Sequence, residues 1–220
     1  MKRRFLKIVS GVIFIVCIGL PDGGGMEDRG DVEILIMMHR HRGEPSLADD
    51  LQAYAKAKGF SDGEMALRLV ELVQAAFNED MDEEEHAIAD GAICGLLPFG
   101  GEKESAFLLD VLRKTEDGHI RLSAIMVGMR LSPSNWEEWL AEVCGGTRCG
   151  MLERYVAYRE VFRIGKDSGG EVRRRVGNVF AELAGKEEDR GNHDHLLRWA
   201  DELLKCNPGD REAQEQGPPN

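Results

Sequence analysis

Aromatic side chains are scarce in this chain: 8 Phe, 3 Tyr and 3 Trp among 220 residues. The apolar share of 42% therefore rests mostly on Leu, Val, Ile, Ala and Met. That supply favours helices over a β-sandwich, and no run shows the alternation of a strand. Positive charge is short as well. Lys and Arg total 28 against 40 Asp and Glu, a formal net charge of −12. A body that acidic repels phosphate backbones, so nucleic acid is not an expected partner without a concentrated basic face. The densest basic run, Arg173-Arg174-Arg175, sends three adjacent helical positions in different directions and makes no stripe. Beyond the N-terminus no apolar run approaches the roughly 20 residues of a spanning helix.

The N-terminus has its own layout. Met1-Lys2-Arg3-Arg4 precedes a mostly apolar run from Phe5 to Leu20, and Pro21-Asp22-Gly23-Gly24-Gly25 follow. A positive region, an apolar region and a small-residue zone make up a secretory signal. Lys7 and Ser10 interrupt the run, which disfavours a comfortable spanning helix, so cleavage within Gly23–Gly25 is expected and an uncleaved anchor is the alternative. A lipoprotein signal at Cys17 is disfavoured by Val16, which stands where a small residue belongs. The expected location is periplasmic or extracellular, with membrane attachment through the N-terminus if the segment is kept. Translation from Met26 would instead leave the protein in the cytoplasm. Without residues 1–25 the net charge falls to about −15.

Four segments follow: 1–25 as signal peptide or membrane anchor, 26–45 as a lead-in, 46–206 as a helical domain and 207–220 as a polar, proline-bearing tail expected to be disordered. Ser46 opens a helix to about Lys58. Ser61 with Glu64 forms a capping box for a helix to about Asn78, and Asp82–Leu97 carries acids in its first turn, where the dipole favours them. Further helices are expected at about 102–115, 119–131, 134–144, 150–164, 170–184 and 192–206. They are separated by Pro98 to Gly101, Glu116-Asp117-Gly118, Ser132-Pro133, Gly145-Gly146, Gly169-Gly170 and Gly185 to Gly191.

Helices this short, joined this closely, suggest stacked antiparallel pairs, and the chain echoes itself. His86 to Gly95 precedes His119 to Gly128 by 33 residues, with Gly91 matched to Ala124 and Gly95 to Gly128. Small residues at matched places let one helix approach its neighbour. Leu108 to Leu112, then Asp117-Gly118-His119-Ile120-Arg121, then Ala124, resembles a HEAT-type repeat, in which an apolar first helix leads through a D-x-x-V-R-like turn to a second helix rich in small residues. Val172-Arg173 matches part of that turn, whereas Asn78 to Gly95 keeps the shape with Glu and His where the family prefers Val and Arg. The resemblance covers about 100 residues and is degenerate. It implies an all-α fold, a short right-handed α-solenoid of stacked antiparallel helix pairs that binds other proteins. An irregular helical bundle is the alternative.

The candidate chemistries are weak. Cys94, Cys144, Cys149 and Cys206 make an even set that permits disulfides in an exported chain. The flexible Gly145-Gly146-Thr147-Arg148 could bring Cys144 and Cys149 together, whereas Cys94 falls on an apolar face that suits a free buried thiol. A four-cysteine zinc site would need a second short spacing. Glu83-x-x-His86 and Glu116-x-x-His119 share the spacing used in di-iron bundles, but Asp117-Gly118 breaks the second at a helix start. The pairs His39/His41 and His193/His195 diverge on a helix, with Asn192 as the expected cap for the second. The acidic run Glu79 to Glu85 lacks the glycine and spacing of a calcium loop. Gly95-x-x-x-x-Gly100 is followed by Gly101-Glu102 rather than the Lys and Ser/Thr of a phosphate loop. Trp136 and Trp139 have the spacing of one packed face. No catalytic residue, metal ligand or cofactor site is assigned. The expected function is a non-enzymatic interaction or scaffold module outside the cytoplasm, offering a concave acidic surface to an unidentified protein and needing no small-molecule cofactor. The rival is a helical enzyme or metal protein assembled around Glu85, His86 and His119.

Overall fold

A computed structural model describes residues 7–9, 12–14, 33–35, 37, 46–76, 83–145 and 148–205. The proposed signal beyond its two short strands, most of the lead-in with His39 and His41, residues 79–82 of the acidic run, Cys206 and the tail lie outside the described residues.

The body is all-α. Its helices are α1 (Ser46–Lys58), α2 (Asp62–Ala76), α3 (Glu83–Gly95), α4 (Glu102–Lys114), α5 (Gly118–Leu131), α6 (Trp136–Gly145), α7 (Met151–Asp167), α8 (Gly170–Ala184) and α9 (Arg190–Lys205), with a 3₁₀ turn at Pro133–Asn135. The expected boundaries agree to within a few residues. Outside this body, in the N-terminal segment, Lys7–Val9 and Val12–Phe14 pair antiparallel, Ile8 opposite Ile13. β-Branched Ile8, Val9, Val12 and Ile13 suit such pairing.

Local chemistry explains the ends. Ser61 N donates to Glu64 Oε2 at 2.8 Å, and Glu64 N donates back to Ser61 Oγ at 3.3 Å, closing the expected capping box on α2. Asp117 caps α5, its Oδ1 accepting from Ile120 N at 2.8 Å. The expected cap on the last helix is displaced. Asp189, not Asn192, accepts there, from Asn192 N at 2.8 Å. Asn192 instead sends Nδ2 to Met151 O at 3.1 Å. A carboxylate at the positive end of a helix outcompetes a neutral amide that has a carbonyl elsewhere to satisfy.

Neighbouring helices pack in pairs, α2 with α3, α4 with α5, α6 with α7 and α8 with α9. The second helices also meet one another, α3 against α5, α5 against α7, and α7 against α9. The core runs along this row: Ile93, Ala124, Ile125, Ala157, Val161 and Leu196 are all fully buried. Trp136 and Trp139 are buried as their spacing implies. Trp139 Nε1 donates to Ser105 Oγ at 3.2 Å, and Ser105 Oγ donates to Gly128 O at 2.8 Å. Both echoed glycines sit in close contacts, Gly95 against an earlier helix and Gly128 against a later one. A Cβ on Gly128 would collide with the Trp139 ring, and one on Gly95 would lie 2.7 Å from Leu51 Cδ1.

Polar bridges join successive pairs. Arg121 Nε and Nη2 reach Glu153 Oε1 at 3.0 and 2.9 Å, while its Nη1 donates to Thr115 O and Glu116 O. Arg154 repeats the arrangement: Nε and Nη2 on Glu187 at 3.1 Å each, and Nη1 on Cys149 O at 3.3 Å. Ser123 Oγ donates to Asp90 across 33 residues of chain.

Two stability outcomes follow. The Arg121 and Glu153 side chains are 11% and 9% exposed. Arg121→Met should therefore cost about 3 kcal/mol in urea denaturation by stranding a buried carboxylate, and adding Glu153→Met should recover much of that loss. Gly128→Ala should cost about 1–3 kcal/mol through overpacking. By contrast, Gly63→Ala, where a Cβ meets nothing within 4 Å, should be neutral or gain up to about 1 kcal/mol.

Candidate functional site

Glu85, His86 and His119 make no group that could hold a metal ion among the described residues. His86 Nδ1 lies 3.4 Å from Asp117 Oδ2, so it meets the α5 cap rather than His119, which is exposed. Glu85 is buried at 9% exposure. Among the described residues no group of three His, Cys, Asp or Glu could hold a metal ion. His193 and His195 diverge as expected: His193 Nδ1 contacts Ala184 O at 2.8 Å, while the His195 ring lies 5.2 Å from those of Tyr155 and Trp199. Arg173, Arg174 and Arg175 go three ways, to Lys166 O, to Gly170 O and to Glu137.

Cys94, Cys144 and Cys149 are free thiols in the structure. The bridge between Cys144 and Cys149 is not made. Cys144 Sγ turns instead to Tyr158 Oη at 3.4 Å, and Cys149 is buried. Burial, reinforced by Asp90, pushes the Cys94 thiol up to about 12. Burial also raises Cys144 and Cys149, so all three favour the protonated, poorly nucleophilic form.

Two polar assemblies stand out that the sequence did not announce. The first lines a depression of about 210 Å³ between α7 and the loop after α8. There Tyr158 Oη donates to Glu187 Oε2 at 2.8 Å, beside the Arg154 pair and the Cys144 thiol. Burial works against the Glu187 charge, but the Asp189 amide, Arg154 and Tyr158 outweigh it and the carboxyl is held below its ordinary 4.5. Burial, Cys144 and Glu187 raise the Tyr158 phenol. Each polar group here answers another, which is the logic of a structural joint.

The second assembly lies where α5 crosses α7. Glu160, its side chain 2% exposed, receives three guanidinium groups. Arg130 binds it through Nε and Nη2 at 2.9 and 3.0 Å. Arg159 Nη2 and Arg163 Nε each add a bond at 3.1 Å. Burial again opposes ionisation, and the arginines again override it, holding Glu160 below 4.5. Beside this cluster runs a partly exposed stripe. Leu152, Tyr155, Arg159, Phe162 and Lys166 follow each other at alternating three- and four-residue steps along α7, and so share a face. Leu152 is 53% exposed. Tyr155 and Phe162 are half-buried against Trp199, Phe162 stacking on it at 5.0 Å. Lys166 Nζ sits 5.4 Å over Phe162. The three-four spacing was open to sequence reading; the convergence of Arg130 on Glu160, 30 residues away, was not.

Comparison with known proteins finds no matching family model, no matching curated protein and no matching solved structure.

The lowered carboxyls fix a pH dependence. A folded-state value below the unfolded 4.5 contributes stability above that pH and loses it as pH falls through the folded value. Urea midpoints should be flat from pH 8 to 6 and drop steeply below about pH 4.5, and Glu187→Gln should give a lower midpoint at pH 7 with a shallower acid limb.

Proposed function

We propose that this chain is a non-enzymatic interaction module that receives a segment of another protein along the second-helix row, chiefly on the partly exposed stripe of α7. One observation carries the reading: Leu152, Arg159 and Lys166, exposed on α7, alternate with Tyr155 and Phe162, which are half-buried against Trp199 of α9, in one regular apolar and cationic stripe. Aromatic residues and arginine are the types that dominate binding energy at protein interfaces. The stripe spans about 21 Å at 1.5 Å per residue, enough for several turns of a partner helix or a short extended segment.

The architecture belongs to the same proposal. The helix pairs are read as a short right-handed α-solenoid of degenerate HEAT-like repeats. The bridges Asp90 to Ser123, Arg121 to Glu153 and Arg154 to Glu187, separated by 33, 32 and 33 residues, support that reading. The receiving surface differs from the acidic one that net charge suggests, since Arg130, Arg159 and Arg163 converge there on the single carboxylate of Glu160, while Lys166 pairs with Glu202 at 2.9 Å. Export is proposed on the residue pattern of 1–25 alone; among the described residues no helix is long and apolar enough to cross a membrane.

The test is affinity capture from the cell envelope of the native host, using the full-length chain and its Leu152→Asp variant. Leu152 is exposed, so the variant should melt within a few degrees of the parent. The reading expects at least one protein to be enriched by the parent and reduced about tenfold or more by the variant. Equal recovery of every protein by both chains would sink it.

A further inference from the structure

The assembly on Glu160 has a charge imbalance that structure alone does not require. One buried carboxylate, with two oxygens, is met by three guanidinium groups, and the bidentate Arg130 pair already satisfies it. Arg159 and Arg163 add one bond each and keep 46% and 43% of their side chains exposed. The other charge facing them is Asp167, 3.7 Å from Arg163 Nη1 and itself 69% exposed. Among the described residues, Nη1 of Arg130, Nε and Nη1 of Arg159 and Nη2 of Arg163 meet no acceptor. Three cations against two acids leave a positive spot on a chain whose net charge is −12.

The geometry points to a carboxylate-binding site at Arg159 and Arg163, backed by Arg130, that takes an acidic side chain of a protein partner. This rests on the interaction reading above and names the chemistry of what docks. Glu160 is the fixed base of the site. It stays ionised and so holds the three guanidinium groups together against their mutual repulsion, with donors left over for a second anion. Phe162 stands one turn from Arg159 on the same stripe, stacked on Trp199 and half-buried, so an acidic residue seated on the arginines would place a neighbouring apolar side chain of the same segment beside the exposed rim of that ring. Arginine favours this recognition because its planar fork presents two parallel N–H groups to a carboxylate.

The probe is hexaglutamate, titrated calorimetrically into the full-length protein at low salt and again at 0.15 M. Binding is expected, with the Kd raised about tenfold or more in the Arg159→Gln/Arg163→Gln variant. Arg174→Gln/Arg175→Gln removes the same charge from exposed positions elsewhere, and should change it by no more than about twofold. Arg130 is left in place so that Glu160 keeps its principal partner, and unchanged melting of both variants confirms the fold. No binding by the parent, or equal weakening in both variants, would overturn the site. Tighter binding of inorganic phosphate, or of phosphatidylglycerol vesicles, than of hexaglutamate would also overturn it, in favour of a phosphoryl ligand or a membrane surface. The two readings fail separately. Hexaglutamate binding without any Leu152-dependent partner defeats the module and spares the site, whereas a Leu152-dependent partner indifferent to Arg159 and Arg163 does the reverse.

Discussion

The fold depends on arginines that reach from one helix pair to a carboxylate already fixed in the next. Glu153 accepts from Gly150 N at 3.2 Å and so caps α7 before Arg121 arrives. Glu187 accepts from Asp189 N at 3.0 Å ahead of α9 before Arg154 arrives. The same guanidinium groups gather the carbonyls of the turns they leave, at Thr115, Glu116 and Cys149. Each link therefore sets three things together: where a helix ends, where the next pair starts and how far apart the pairs lie. A buried ion pair of this kind is weak evidence of net stability, since desolvation offsets much of the attraction. Its consequence is specificity: a pair displaced along the row would strand a buried carboxylate.

That division of labour explains what could be read in advance. Helix limits follow from local signals, and the Ser61–Glu64 box, the Asp117 cap and the Gly-Gly breaks all lie within a few residues of the ends they define. Trp136 and Trp139 declare their face by spacing. The bridges are different, because nothing near Arg130 names Glu160 and nothing near Tyr158 names Glu187. Their partners stand about one helix pair away, so they become visible only when stacking brings the elements together. Asn192 shows the same limit on a small scale. It is a good cap by type, but Met151 O, far away in sequence, offered its amide another partner, and Asp189 was free to take the helix end. The cysteines show it again. Spacing allowed Cys144 to reach Cys149, but Tyr158, placed by a different helix, is what the thiol meets.

The metal-like spacings around His86 and His119 illustrate a further point. Matching spacing alone does not make residues cooperate. His86 ends against Asp117, the acid that caps the following second helix.

Charge is distributed by the same rule. The acids that make the chain strongly negative lie mainly on outer faces and helix starts, where water and the helix dipole favour them. Arginines also fasten helices across the fold: Arg121, Arg130 and Arg154 link second helices to the next pair, while Arg113 on α4 and Arg175 on α8 reach carboxylates of α6. Where two of them, Arg159 and Arg163, exceed what fastening needs, the row gains a positive spot beside half-buried rings.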